Sequence, residues 1–177
     1  MIVMKKLVNP FDYAGQICEA MKKGILLSTK AGDFVNTMTI GWGHMGIEWG
    51  RPIFVAYVRE TRHTRQMLDD NGEFTVNVPV GSLDPKILGY CGSKSGRDVN
   101  KIADLDLTLE DPISISVPGI KELPLTLECK VIYKQKQDLS AIPEPILSRY
   151  YPADESGFRD YHYAYYGEIL NAYRIED

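Results

Sequence analysis

The chain has 177 residues, 44% hydrophobic and 25% charged, which is ordinary globular composition and long enough for one core-bearing domain, here taken as residues 1–177. A formal net charge of −4 with dispersed basic residues argues against a nucleic-acid surface, and no apolar run approaches the ~18 residues of a membrane helix. Three widely spaced cysteines, Cys18, Cys91 and Cys129, give neither a disulfide framework nor a paired redox motif; with no signal-like N-terminal stretch, the cytoplasm is the expected location.

Along the chain, residues 12–23 place Ile17, Ala20 and Met21 on one face and end in lysines before Gly24, predicting a short amphipathic helix. Short runs rich in β-branched and aromatic residues follow: GILLSTK, FVNTMTIGW, PIFVAYV, EFTVNVPV, ISISVPGI, LTLECKVIYK and YAYYGEILNAYRI. Two helices interrupt them, one starting at Thr61 or Thr64 and running to Asn71-Gly72, the other over 84–90 with Pro85 in its first turn. Such inserts do not alternate regularly with the strands, so a mainly β antiparallel barrel is expected rather than a doubly wound sheet. Residues 140–160, with Pro143, Pro145, Pro152 and Gly157, read as an irregular excursion near the mouth of a site.

Gly41, Gly43 and Gly46 satisfy the dinucleotide fingerprint GxGxxG. The sequence continues IEWGRP, which cannot open the required helix, so this segment is read as turn chemistry between strands.

Three polar segments carry the functional signal. In NTMTIGW, Asn36, Thr37 and Thr39 interrupt what should be an apolar buried strand; either a ligand ring with polar edges lies against it, or the strand is half-exposed with its threonines in water. RETRHTR gathers Arg59, Thr61, Arg62, His63 and Thr64 at a strand end and helix start. It is either a phosphate cradle of helix N–H groups, hydroxyls and guanidinium, or a solvated helix start. CGSKSGRDVNK, residues 91–101, concentrates Ser93, Lys94, Ser95, Gly96, Arg97 and Lys101 and is either the completion of a phosphate or ribityl site or a surface loop. No carboxylate pair, Ser-His-Asp order or metal-ligand spacing links the three histidines at 44, 63 and 162, which moves any chemistry onto a cofactor.

Taken in order, KKGILLSTKAGDFVNTMTIGWG, VRETRHTRQMLDDNGEFTVNVP, CGSKSGRDVNK, LECKV and HYAYYGEI resemble the flavin reductase-like family of FMN-binding split barrels, and its flavoredoxin-like branch in particular. The resemblance implies a six-stranded Greek-key split barrel, a homodimer and one FMN per subunit. On this chain it implies that Asn36, Thr37, Met38 and Thr39 border the flavin ring with Trp42 close by. Thr61, Arg62, His63 and Thr64 would receive the phosphate, and Ser95, Gly96, Arg97 and Lys101 would finish the pocket. His162, separated by four residues from Gly167-Glu168, matches a family histidine on the nicotinamide side, although Asp160-Tyr161 replaces the usual Gly-Asp before it.

Three functions remain open. The first is an NADH- or NADPH-dependent reductase passing electrons through FMN to flavin, iron or a protein. The second is an electron carrier served only by redox protein partners, and the third a cofactor-free binding module. His162 is otherwise a structural strand residue, the nearby tyrosines core or interface packing, and Cys91 either reactive or a small packing group.

Overall fold

The computed structural model describes residues 4–176. In chain order it contains β1 (Met4–Leu7), a 3-10 turn, α1 (Ala14–Met21), β2 (Ile25–Ala31), β3 (Phe34–Ile40), β4 (Gly43–Glu48) and β5 (Arg51–Arg59). There follow α2 (His63–Asp70), β6 (Glu73–Val78), α3 (Pro85–Ser93), α4 (Lys101–Asp104), β7 (Leu109–Glu110) and β8 (Gly119–Ile120). The chain closes with β9 (Leu125–Lys136), α5 (Glu144–Tyr150) and β10 (His162–Glu176).

The main sheet is antiparallel throughout, ordered β3-β2-β6-β9-β10-β5-β4, with β1 added to the far half of β10. Strands β5 and β6, consecutive in sequence, lie on opposite sides of the β9–β10 pair, the crossover of a Greek-key arrangement. The expected split barrel is therefore present, with eight strands in the sheet rather than six: β4 prolongs the β5 edge and β1 caps β10. Alternation along the strands fills the interior. Ile25 and Leu27 from β2, Phe54, Ala56 and Val58 from β5, Phe74, Val76 and Val78 from β6, and Leu125, Leu127 and Cys129 from β9 form one buried cluster with Tyr165 of β10.

Helix α1 lays Ile17 and Met21 on this core, and Gly24 beyond it sits at φ +116, a conformation other residues rarely adopt. Asp84 caps α3 through Lys86 N with Pro85 in the first turn, as its sequence requires. This helix runs on to Ser93, past the predicted end at 90, and so carries Cys91 inside it.

Three expectations are corrected. Within GWGHMG only Gly41-Trp42 links two strands; Gly43 onward is strand β4, paired with β5 from Gly43↔Ala56 to Glu48↔Arg51, and the reversal falls at Trp49-Gly50. The irregular excursion contains a 3-10 turn at Leu139–Ala141 and α5, whose first turn accommodates Pro145. Finally, ISISVPGI is a strand only at Gly119–Ile120. Its backbone donors are taken by side chains of the sheet: Ile113 N and Ser114 N donate to Glu128, Ser116 N to Glu73, and Ile120 N to Asn77 Oδ1. A segment whose N–H groups are satisfied this way has no need of a ladder partner.

Candidate functional site

One cleft gathers most of the residues singled out from the sequence. Its inner end, of about 340 Å³, is lined by Asn36, Met38, Arg59, Thr61, Arg62, His63, Thr64, Lys94, Ser95, Gly96, Arg97, Lys101 and Asp160. It shares Met38, Arg59 and Arg62 with a second compartment of about 160 Å³, lined also by Thr39, Ile40, Gly41, Trp42, Tyr57 and His162. Together these volumes suit a small organic ligand.

Strand β3 supplies one wall because it is a sheet edge, with backbone groups not taken up by β2. The carbonyl of Thr37 accepts from Lys101 Nζ at 2.9 Å. The Thr37 side chain itself is buried and committed, donating to Leu27 O and accepting from Ser28 Oγ, and the residue lines neither compartment, touching the site only through its carbonyl on Lys101. The hydroxyl of Thr39 is likewise spent on Leu88 O at 2.7 Å. Asn36 behaves differently. Its Nδ2 donates to Thr64 Oγ1 at 3.1 Å, whereas its Oδ1 is buried with no partner among the described residues.

The start of α2 forms the floor. Arg62 is its N-cap residue without a side-chain cap, and Arg65 N turns back to Arg62 O at 3.1 Å, so the N–H groups of His63 and Thr64, unpartnered among the described residues, are left for another acceptor. His63 Nδ1, in the same turn, is buried without a partner among the described residues, and the Arg62 guanidinium donates to Gly92 O at 3.3 Å. The loop after α3 is fastened on top: Arg97 donates to Thr61 O and Gln66 Oε1, both at 3.0 Å.

Lys101 is 4% exposed, and its ammonium donates to two carbonyls, Thr37 O and Cys91 O, both at 2.9 Å. Desolvation, with a further contribution from Arg62, pulls it below the usual lysine range. A buried cation answered only by carbonyls is electrostatically incomplete, and an anion in the cleft would complete it. Beside it, Cys91 is fully buried and desolvation pushes its thiol up to about 11 against the opposing pull of Lys101. It is a packing thiol in α3, not a reactive one.

Asp160 is the feature that sequence reasoning did not assign. Its carboxylate accepts from Thr61 N at 3.1 Å and Thr61 Oγ1 at 2.8 Å, placing a negative charge among the cations. Arg59, which the sequence placed in the same polar run, is pinned by Asp160 O and Tyr150 O and lies over the Tyr151 ring.

At the other end, Trp42 is 41% exposed and packs against His162 and Tyr150, with ring centroids at 5.0 and 5.2 Å. His162 is buried at the start of β10. Desolvation first, then Arg59 and Arg62, push its imidazolium form down to about 4, so the ring is neutral near pH 7.

Comparison with known proteins bears on what this cleft is for. The flavin reductase-like domain matches residues 20–175 of the chain. The protein belongs to the flavin reductase-like family. The chain is 33% identical over 97 residues to an uncharacterized protein of Archaeoglobus fulgidus, and the match spans 55% of this chain and 54% of that relative, about half its length. Among solved structures it is similar to flavoredoxin from Methanosarcina acetivorans, with 26% identity, TM-score 0.63, and 85% of this chain and 67% of the other covered. It also resembles an FMN-binding domain of a flavin reductase-like enzyme from Shewanella baltica OS155, at 19% identity and TM-score 0.64 over 98% and 78% of the two chains, a likeness of fold. In this flavin reductase-like chain the two compartments of the cleft are lined by every residue assigned from the sequence except Thr37.

Proposed function

We propose that this protein binds FMN in the cleft and acts as an NADH- or NADPH-dependent flavin or flavoprotein reductase. The observation that carries the reading is the pairing of unsatisfied groups at the inner end. Among the described residues Lys101 has no counter-ion, the N–H groups of His63 and Thr64 at the start of α2 are open, and Asn36 Oδ1 is a buried acceptor without a donor. A phosphate answers the first two and a ribityl hydroxyl the third.

On this reading Thr61, Arg62, His63 and Thr64, with Ser95, Arg97 and Lys101, hold the phosphate. Gly96 lets the chain approach Asn36, and Met38, the Thr39 backbone and Trp42 border the ring. Bound FMN would supply the two-electron acceptance and one-electron release that no side-chain constellation here provides. The protein's part is alignment and exclusion of water: Trp42 and His162 flank the space for a nicotinamide, and His162, being neutral, can accept a hydrogen bond there without bringing charge. A homodimer fits the exposed apolar side chains Ile47, Trp49, Tyr133 and Leu170, of which Trp49 and Tyr133 pack ring against ring.

The similarity to a flavoredoxin at 26% identity favours a second reading, in which FMN stays bound and exchanges electrons only with a redox protein. Anaerobic addition of NADH or NADPH to the FMN-loaded protein separates them. Bleaching of the flavin absorbance supports the reductase, persistent oxidised flavin supports the carrier, and failure to bind FMN removes both. Changing Arg62 and Thr64 together to Ala should weaken FMN about a hundredfold while leaving riboflavin nearly unaffected; equal loss for both ligands would remove the phosphate assignment.

A further inference from the structure

A chain of three hydrogen bonds runs from the backbone of β10 to the imidazole in the cleft. The N–H of His162 donates to Gln137 Oε1 at 3.2 Å, Tyr151 Oη lies 2.8 Å from that same oxygen, and His162 Nδ1 lies 2.8 Å from Tyr151 Oη. The proton positions follow in order. A backbone N–H can only donate, so the amide of Gln137 must present its oxygen, which fixes the side-chain flip. That oxygen carries no hydrogen, so the single hydroxyl proton of Tyr151 must point at it. Tyr151 can then offer His162 only a lone pair, and Nδ1 must carry the imidazole proton.

Among the described residues Nε2 has no hydrogen-bond partner, and the ring borders the cleft beside Trp42. Resting on the flavin reading above, we infer that Gln137 and Tyr151 are positioning residues. They hold His162 in its Nδ1–H tautomer, so that Nε2 faces the ring end as a hydrogen-bond acceptor and selects a ligand bringing an N–H donor there, such as a carboxamide. Neither residue lies in the segments that carried the sequence signal. Gln137 follows β9, and Tyr151 ends α5 in the irregular excursion, which thereby acquires a role at the site. The neutrality of the imidazole near pH 7 is consistent with this, since a protonated ring would offer no acceptor.

The test is the tautomer itself, read by 15N NMR of histidine-labelled protein at pH 7, without flavin and again with FMN. The chain has three histidines, and loss of signals in His162→Gln assigns the relevant ring. Wild type should show a protonated Nδ1 and the far-downfield resonance of a bare Nε2. Gln137→Glu, which keeps an acceptor for both donors, should preserve that pattern. Gln137→Met removes the acceptor, frees the Tyr151 proton to turn toward Nδ1, and should move the imidazole proton to Nε2. Tyr151→Phe is the second variant and should also lose the Nδ1–H preference.

An Nε2–H tautomer in wild type, or an unchanged Nδ1–H pattern in Gln137→Met, overturns the relay. With FMN bound, Gln137→Met should slow bleaching by NADH about tenfold while FMN affinity holds, and an unchanged rate with a switched tautomer overturns the role toward the ligand. If FMN fails to bind, the flavin reading falls, while the spectra of flavin-free protein still decide the tautomer.

Discussion

A Cβ on residue 96 would stand 2.7 Å from Cγ of Asn36 and nearer still to its Oδ1, so Gly96 and Asn36 can share the inner end of the cleft only because residue 96 has no side chain. Gly96→Ala must displace Asn36, break its bond to Thr64 and close the space beside the orphaned Oδ1. We expect FMN affinity to fall about tenfold or more, the loss of at least one hydrogen bond and a steric fit. Gly89 in α3 is the control, since a Cβ there meets nothing within 4 Å. Gly89→Ala should leave FMN binding unchanged and raise stability by about 0.5–1 kcal/mol through the helix interior. Fluorescence titration with FMN and urea unfolding measure the two; normal FMN affinity in Gly96→Ala would place the ligand elsewhere.

Asp160 works against an anion in this cleft, because both its carboxylate oxygens take donors of Thr61 that a phosphate would also use. Asp160→Asn retains one acceptor for Thr61 and removes the charge. FMN should then bind about fivefold tighter, a net effect near 1 kcal/mol once the partial compensation by Arg59 and Arg62 is counted, and riboflavin should change little. Calorimetric titration of both ligands decides the matter, and weaker FMN binding would show that Asp160 supports the site rather than competes in it.

The sequence made the inner site legible because its residues come in compact runs. RETRHTR and the loop around Gly96 each fold as one unit, the first as a strand end and helix start, the second as a polar turn after α3. The β3 strand was legible only in part. The alternation of Asn36 and Met38 with Thr37 and Thr39 could not show that both threonine hydroxyls answer α3 and β2 rather than a ligand. Asp160, Gln137 and Tyr151 were missed because each reaches the site through a contact that no local pattern encodes, 99 residues from Thr61 for Asp160, and 25 and 11 residues from His162 for Gln137 and Tyr151. The same limit explains ISISVPGI, whose β-rich composition is real but whose donors are claimed by Glu128, Glu73 and Asn77 from strands it never joins.

That last arrangement makes Glu128 a fold determinant. It is fully buried, and its carboxylate takes Ile113 N, Ser114 N and Asn171 Nδ2. Glu128→Ala leaves three donors unanswered and should cost about 3 kcal/mol in urea unfolding, with Glu128→Gln costing roughly half of that because one acceptor survives. Amide exchange at Ile113 and Ser114 should accelerate in Glu128→Ala. Unchanged protection there would mean that the segment is held by its apolar contacts and not by the carboxylate.

His162 gives the protein a defined acid sensitivity. Its folded pKa, pushed down to about 4, lies below the ordinary 6.5, chiefly by desolvation with Arg59 and Arg62 adding to it. Below pH 6.5 the unfolded chain therefore takes up a proton that the folded ring refuses, so the neutral ring's contribution is whole above 6.5 and is lost as the pH falls toward 4. Between pH 7 and 5 the loss from this one group should be about 2 kcal/mol. His162→Gln, which cannot titrate, should show a stability curve flatter by that amount over the same interval, whatever its absolute stability at pH 7. Urea midpoints at pH 7, 6 and 5 for both proteins test this: parallel curves would mean that the ring is already hydrated in the folded state, and that the cleft beside Trp42 is open to water rather than desolvated.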